Sequence, residues 1–92
     1  MSIDDYRDAY EQVRNYVEGI VYGYLNKNGC GGKFENVKNE AQCQSQNYSI
    51  GIDQDLKYLD GLTNGAVEYV SKAKNVSVED IHQDFVNYYL KS

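Results

Sequence analysis

Few side chains in this sequence carry reactive chemistry, and their spacing limits what they can do. The one histidine, His82, falls beside Ile81 and Phe85 on an amphipathic run, the usual place of a boundary histidine. Its only possible thiol partners are Cys30 and Cys43, and neither sits in the basic neighbourhood that activates a thiolate. Two cysteines and one histidine in no recognised spacing fall short of a zinc set. The carboxylate pairs Asp4/Asp5 and Glu79/Asp80 stand where helices begin, and there negative charge complements the helix dipole. Asp53-Gln54-Asp55 lacks the downstream glycine and glutamate of a calcium loop. Gly29-Cys30-Gly31-Gly32-Lys33 lacks the spacing of a phosphate-binding loop and the Ser or Thr after its lysine, so it reads as a turn. No catalytic residue, metal ligand or cofactor site is expected, and the chain reads as a binding protein and not an enzyme.

The cysteines have a second use. Both lie among polar or glycine residues, whereas a free structural cysteine is usually buried. A Cys30–Cys43 disulfide is therefore expected, closing a loop of about fourteen residues and contributing about 3 kcal/mol. Such a bridge implies an oxidising compartment.

The elements that position these groups are helices. Residues 2–26 carry apolar or aromatic side chains at Tyr6, Ala9, Tyr10, Val13, Tyr16, Val17, Ile20, Val21, Tyr24 and Leu25, the rhythm of a helix stripe. Ser2 with Asp5 resembles a capping box, and Asn28-Gly29 is a stop signal. Residues 27–51 are irregular, with a short helix around Phe34, Val37 and Ala41 and a loop from Gln42 to Ser49. Residues 52–74 form a long helix on Ile52, Leu56, Leu59, Leu62, Ala66, Val67, Val70 and Ala73. Residues 77–91 form another, with Ser77 at the cap, Asp80 three residues on, and Val76 and Ile81 placed for a hydrophobic staple. Proline is absent and no segment alternates as a strand does. The expected fold is all-α: one domain, 1–92, a small bundle of three to five helices with one disulfide-closed loop.

Two segments repeat a pattern. Tyr16-Val17-Glu18-Gly19-Ile20-Val21-Tyr22-Gly23 matches Tyr58-Leu59-Asp60-Gly61-Leu62-Thr63-Asn64-Gly65. Glycine in a helix costs about 0.5–1 kcal/mol relative to alanine. Gly19, Gly23, Gly61 and Gly65 are therefore expected to mark close packing of helices, or flat grooves open to a partner. Ten tyrosines against two phenylalanines and no tryptophan is unusual. Tyr6, Tyr10 and Tyr24 share the apolar stripe, whereas Tyr22 points away and is the candidate exposed aromatic for a partner. The candidate contact loop is Asn28 to Phe34, with Gly31, Gly32, Lys33 and Phe34 held by the bridge, which lowers the ordering cost of binding. Exposed Tyr and Gly on helices suit a homodimer as well as a different partner.

Net charge is −5. Nucleic acid and anionic membranes are poor partners for such a chain, and no apolar run reaches membrane-spanning length. A protein partner is expected. No signal peptide follows Met1, so export would need a leader outside this sequence.

The C-terminal half carries a resemblance. Cys43-Gln44-Ser45, Tyr58-Leu59-Asp60-Gly61-Leu62, Val76-Ser77-Val78-Glu79-Asp80-Ile81 and Phe85-Val86-Asn87-Tyr88-Tyr89-Leu90 follow one another in an order that resembles the Tai/Rap group of small periplasmic immunity proteins. The resemblance implies an exported, disulfide-bearing helical protein that blocks a cell-wall-degrading effector of a type VI secretion system by direct binding. Asp55 stands where that group has a cysteine, and Lys74-Asn75 where it has cysteine-proline, so Cys30 and Cys43 are not equated with the group's bridge. The alternative expectation is a cytoplasmic adaptor, or a phage-type anti-defence protein, acting through the same acidic surface.

Overall fold

The computed structural model describes residues 3–92, with side chains from Asp4 onward. Four helices account for most of it: α1 (Ile3–Lys27), α2 (Phe34–Ser45), α3 (Ile52–Lys74) and α4 (Val78–Leu90), with a 3-10 turn at Gly31–Lys33 leading into α2. No strand occurs among the described residues. The fold is an all-α bundle, as the periodicity predicts. The expected Ser2 cap lies outside the described residues.

Local chemistry sets the helix ends. α1 stops in a Schellman motif: Gly29 takes φ 76°, the Cys30 amide donates to Leu25 O at 2.7 Å, and the Gly29 amide donates to Asn26 O at 3.1 Å. Asn28 Nδ2 donates to a further end carbonyl, Tyr24 O, at 2.8 Å. α3 stops the same way, with Asn75 in the left-handed region at φ 55° and the Val76 amide on Ser71 O at 3.2 Å. Asparagine tolerates that conformation better than most non-glycine residues. At the start of α4 the Ser77 hydroxyl accepts from the Asp80 amide at 3.2 Å, the cap expected from sequence.

α2 and α3 pack antiparallel along one line of small residues. A β-carbon on Gly61 would lie 2.9 Å from Ala41 Cβ and 3.1 Å from Ala41 Cα. One turn on, a β-carbon on Gly65 would lie 3.1 Å from Val37 Cγ1. The two glycines let the α2 backbone approach α3. Glycine in the matching segment of α1 behaves differently. Gly23 faces the Tyr88 hydroxyl, but Gly19 has nothing within 4 Å of its β-position. The expectation that all four glycines mark close packing is therefore corrected at Gly19, because no helix lies along that side of α1.

The disulfide is also corrected. Both cysteines are free and too far apart to join. Cys30 is buried in the core where α1 ends, and its thiol donates to Asn28 O at 3.6 Å. Cys43 is exposed on α2, off the face that buries Val37, Ala41 and Ser45. The helical α2 carries Cys43 roughly 13 Å from Phe34 at 1.5 Å per residue, away from the turn that holds Cys30. α2 also runs on to Ser45, four residues past the Ala41 end expected, because one buried residue per turn against the glycines of α3 is enough to hold it.

The core joins the C-terminal half of α1 (Val21, Tyr24, Leu25) to Leu62, Ala66, Val67 and Val70 of α3, with Ile81 and Phe85 of α4 closing one side. The bundle is 44 Å long, and the 25-residue α1 spans about 37 Å at 1.5 Å per residue.

Candidate partner-binding surface

The residues that looked chemically able do not share one site. His82 is exposed on α4, Cys30 is sealed in the core and Cys43 faces outward on α2. Among the described residues no three His, Cys, Asp or Glu side chains gather in a way that could hold a metal. Asp4/Asp5, Asp53/Asp55 and Glu79/Asp80 all stand in first turns, against the positive ends of the helix dipoles.

The tyrosines have a structural use that the sequence reading missed. Four of them donate their hydroxyls to a carboxylate on a different helix. Tyr6 of α1 donates to Asp55 of α3 at 2.8 Å, and Tyr58 of α3 donates back to Glu18 of α1 at 2.7 Å. Tyr24 of α1 donates to Asp84 of α4 at 2.7 Å, and Tyr69 of α3 donates to Glu40 of α2 at 2.8 Å. Every helix joins at least one such pair. Tyr24 and Tyr58 are buried, and their carboxylate partners Asp84 (exposed) and Glu18 (half-buried) stand at the edge of the core. Burial first, and then the bond to Asp84, pushes the Tyr24 hydroxyl well above the ordinary tyrosine value of 10.0. Burial and then Glu18 do the same to Tyr58. For Tyr6 and Tyr69 the bond to the carboxylate is the leading cause of a smaller rise. The excess of tyrosine over phenylalanine, beside fourteen carboxylates, was the available signal.

The expected contact loop proves to be a packed corner. Tyr22 is exposed, with its ring edge-on to Phe34 at 5.2 Å between centroids, and Phe34 packs against the core. Lys33 Nζ lies 5.9 Å over the Tyr69 ring. Asn28 spends its side chain on the end of α1, and Gly31 sits tightly against Asn26. Gly32 is exposed. No bridge pins the segment.

The unspent surface lies elsewhere. Three apolar stripes run past the point where the core ends. On α1 the stripe continues backward from Ile20 to Val17, Tyr16 (51% exposed) and Val13 (48%). On α3 it continues backward from Tyr58 to Leu56 (59%) and Ile52. On α4 it continues forward from Phe85 to Val86, Tyr89 and Leu90 (73%). Between these helices is a hollow of ≈ 340 Å³ lined by Val17, Leu59, Asp60, Thr63, Phe85, Val86 and Tyr89. Tyr16 and Tyr89 meet edge to face across one rim, 6.2 Å between centroids.

The helical segments that contribute these stripes are acidic along their other sides, and Asp60 is the acidic residue that lines the hollow. Residues 4–18 of α1 and 52–60 of α3 carry eight carboxylates against Arg7, Arg14 and Lys57, a balance of −5 equal to that of the whole chain. Residues 85–90 of α4 carry no charge, and Lys91 follows them. Part of the cationic charge is already engaged: Arg14 pairs with Glu11 at 3.6 Å and Lys57 with Asp60 at 3.6 Å. No family model, no curated protein and no solved structure matches the chain.

Proposed function

We propose that this protein acts by binding another protein through the apolar face where α1, α3 and α4 outrun their common core. The supporting observation is the apolar hollow lined by Val17, Leu59, Phe85, Val86 and Tyr89, with Val13, Tyr16, Leu56 and Leu90 left exposed further along the same three helices. Each such side chain contributes at most about 1.5–3 kcal/mol when a partner covers it, against the entropy cost of association, so several must be buried together. The proposed mode of action is occlusion. The bound protein is blocked or held.

Blocking of a secreted cell-wall-degrading enzyme, which the resemblance to the Tai/Rap immunity group implies, is one use of such a face. The separated thiols remove the covalent argument for an oxidising compartment, so that use rests on the resemblance alone.

Photo-crosslinking in the source cell tests the reading. A photoreactive residue at Leu56 or Leu90 is expected to give a discrete adduct with one partner, and the same residue at Lys72 is expected to give none. Adducts from Lys72 with none from Leu56 or Leu90 would move the contact to another surface. If the captured protein is an enzyme, its inhibition at a one-to-one ratio supports the blocking role.

A further inference from the structure

We infer that Asn28 is a site of spontaneous covalent modification, where hydrolysis of its side-chain amide, with Gly29 as the internal nucleophile, loosens the end of α1 and unseals Cys30. The chain has two Asn-Gly pairs, Asn28-Gly29 and Asn64-Gly65. Glycine has no β-carbon, so its backbone nitrogen is the least hindered one an asparagine side chain can meet. In the reaction the Gly29 nitrogen gives its proton to water and attacks Asn28 Cγ. The N–Cγ bond forms, the Cγ–Nδ2 bond breaks, and Nδ2 leaves as ammonia. Water then opens the succinimide ring. Entering at Cγ, it leaves aspartate. Entering at the main-chain carbonyl carbon, it leaves isoaspartate, with the chain routed through the side chain. The sum is amide plus water giving acid plus ammonia, and no oxidant or reductant is consumed.

The fold treats the two pairs differently. Asn64 and Gly65 lie inside α3, where the Gly65 amide is held in the helix ladder. Val37 Cγ1 of α2 lies 3.1 Å from the β-position of Gly65. Asn64 therefore cannot leave its helical dihedrals without parting α3 from α2. Asn28 lies past the end of α1 and is half-buried, and Gly29 is exposed, with nothing within 4 Å of its β-position. Two bonds engage the reacting groups: Asn28 Nδ2 donates to Tyr24 O at 2.8 Å, and the Gly29 amide donates to Asn26 O at 3.1 Å. Both belong to a helix end, which opens at a lower free-energy cost than the whole protein.

The product cannot restore that end. A carboxylate offers Tyr24 O no donor, and its charge stands at the negative end of the α1 dipole. Isoaspartate also lengthens the main chain just before Gly29, where the Cys30 amide must reach Leu25 O at 2.7 Å. Cys30, buried at this end, is the group that the modification exposes.

The test stores the full chain at mildly alkaline pH, with and without urea, and maps acid in place of amide by peptide mass spectrometry. Folded protein is expected to convert at Asn28 and not at Asn64, and urea is expected to bring in both. Asn28→Asp reproduces one product. Its Cys30 is expected to react with a thiol label about ten-fold faster than in the fresh parent under native conditions. Should that variant fail to fold, the converted fraction of stored protein, separated by charge, gives the same measurement. Conversion in folded protein at Asn64 as fast as at Asn28, or at neither, overturns the site. Cys30 labelling no faster in the variant or in the converted fraction overturns the loosening.

Discussion

The two glycine-bearing segments of α1 and α3 allow one experiment in which the same substitution gives opposite results. Gly19 and Gly61 occupy equivalent places in the pattern Tyr, aliphatic, acid, Gly, and both are inside helices. Replacing either with alanine recovers about 1 kcal/mol of helix propensity. At Gly19 nothing opposes that gain, since the new β-carbon meets open space. Gly19→Ala is therefore expected to stabilise the protein by about 0.5–1 kcal/mol. At Gly61 the β-carbon would lie 2.9 Å from Ala41 Cβ and 3.1 Å from Ala41 Cα, and the backbone atom cannot rotate away. α2 must shift outward, and overpacking of that kind costs about 1–3 kcal/mol. The net expectation for Gly61→Ala is a loss of about 1 kcal/mol, leaving the two variants about 2 kcal/mol apart. For a domain of this size 1 kcal/mol moves Tm by about 4–8 °C, so thermal melts followed by circular dichroism resolve the pair. A Gly61→Ala protein as stable as Gly19→Ala would refute the close approach of α2 to α3.

The tyrosine pairs carry their own expectations. Tyr24→Phe and Tyr58→Phe each remove one hydroxyl that donates to a carboxylate, and each is expected to lower stability by about 1–2 kcal/mol in urea unfolding. An unchanged midpoint would mean that the carboxylate gains as much from water. The same hydroxyls predict a dependence on alkaline pH. Their pKa values are raised in the folded protein above 10.0, so their contribution is intact below pH 10 and is lost as pH rises from there toward the higher folded values. Urea midpoints measured across that window are expected to fall for the parent and to fall less steeply for the double Phe variant. Thiol labelling is expected to modify Cys43 quickly in the folded protein and Cys30 only after unfolding, and reductant is expected to leave the melting curve unchanged. Two unreactive sulfurs in denaturant would restore the disulfide.

Helices were legible wherever a stripe and a stop signal coincided. Asn28-Gly29 ends α1 and Ser77 starts α4 because those contacts form within a few residues of chain. Long-range facts were not legible. Cys30 has glycine neighbours in sequence, yet α1 folds back at Gly29 and turns its thiol inward, so local polarity misjudged its burial. The paired segments around Gly19 and Gly61 look alike, but only one has α2 running along it. Val13 and Leu56 continue stripes whose other members are buried, and periodicity alone does not say where a helix loses its neighbours. Tyr22 and Asn28 to Phe34, the contact residues expected from glycine and an exposed ring, also make contacts inside the fold that sequence does not show: Tyr22 meets Phe34, and Asn28 bonds the end of α1.

The most direct test of a contact surface at the open end of the bundle is a titration of isotope-labelled protein with the partner captured by crosslinking, followed by amide chemical shifts. Perturbations gathered on Val17, Leu59, Val86 and Tyr89, with Tyr22 and Lys33 undisturbed, are the expected result. Perturbations centred on Tyr22 to Phe34, or spread evenly over every acidic stretch, would contradict it.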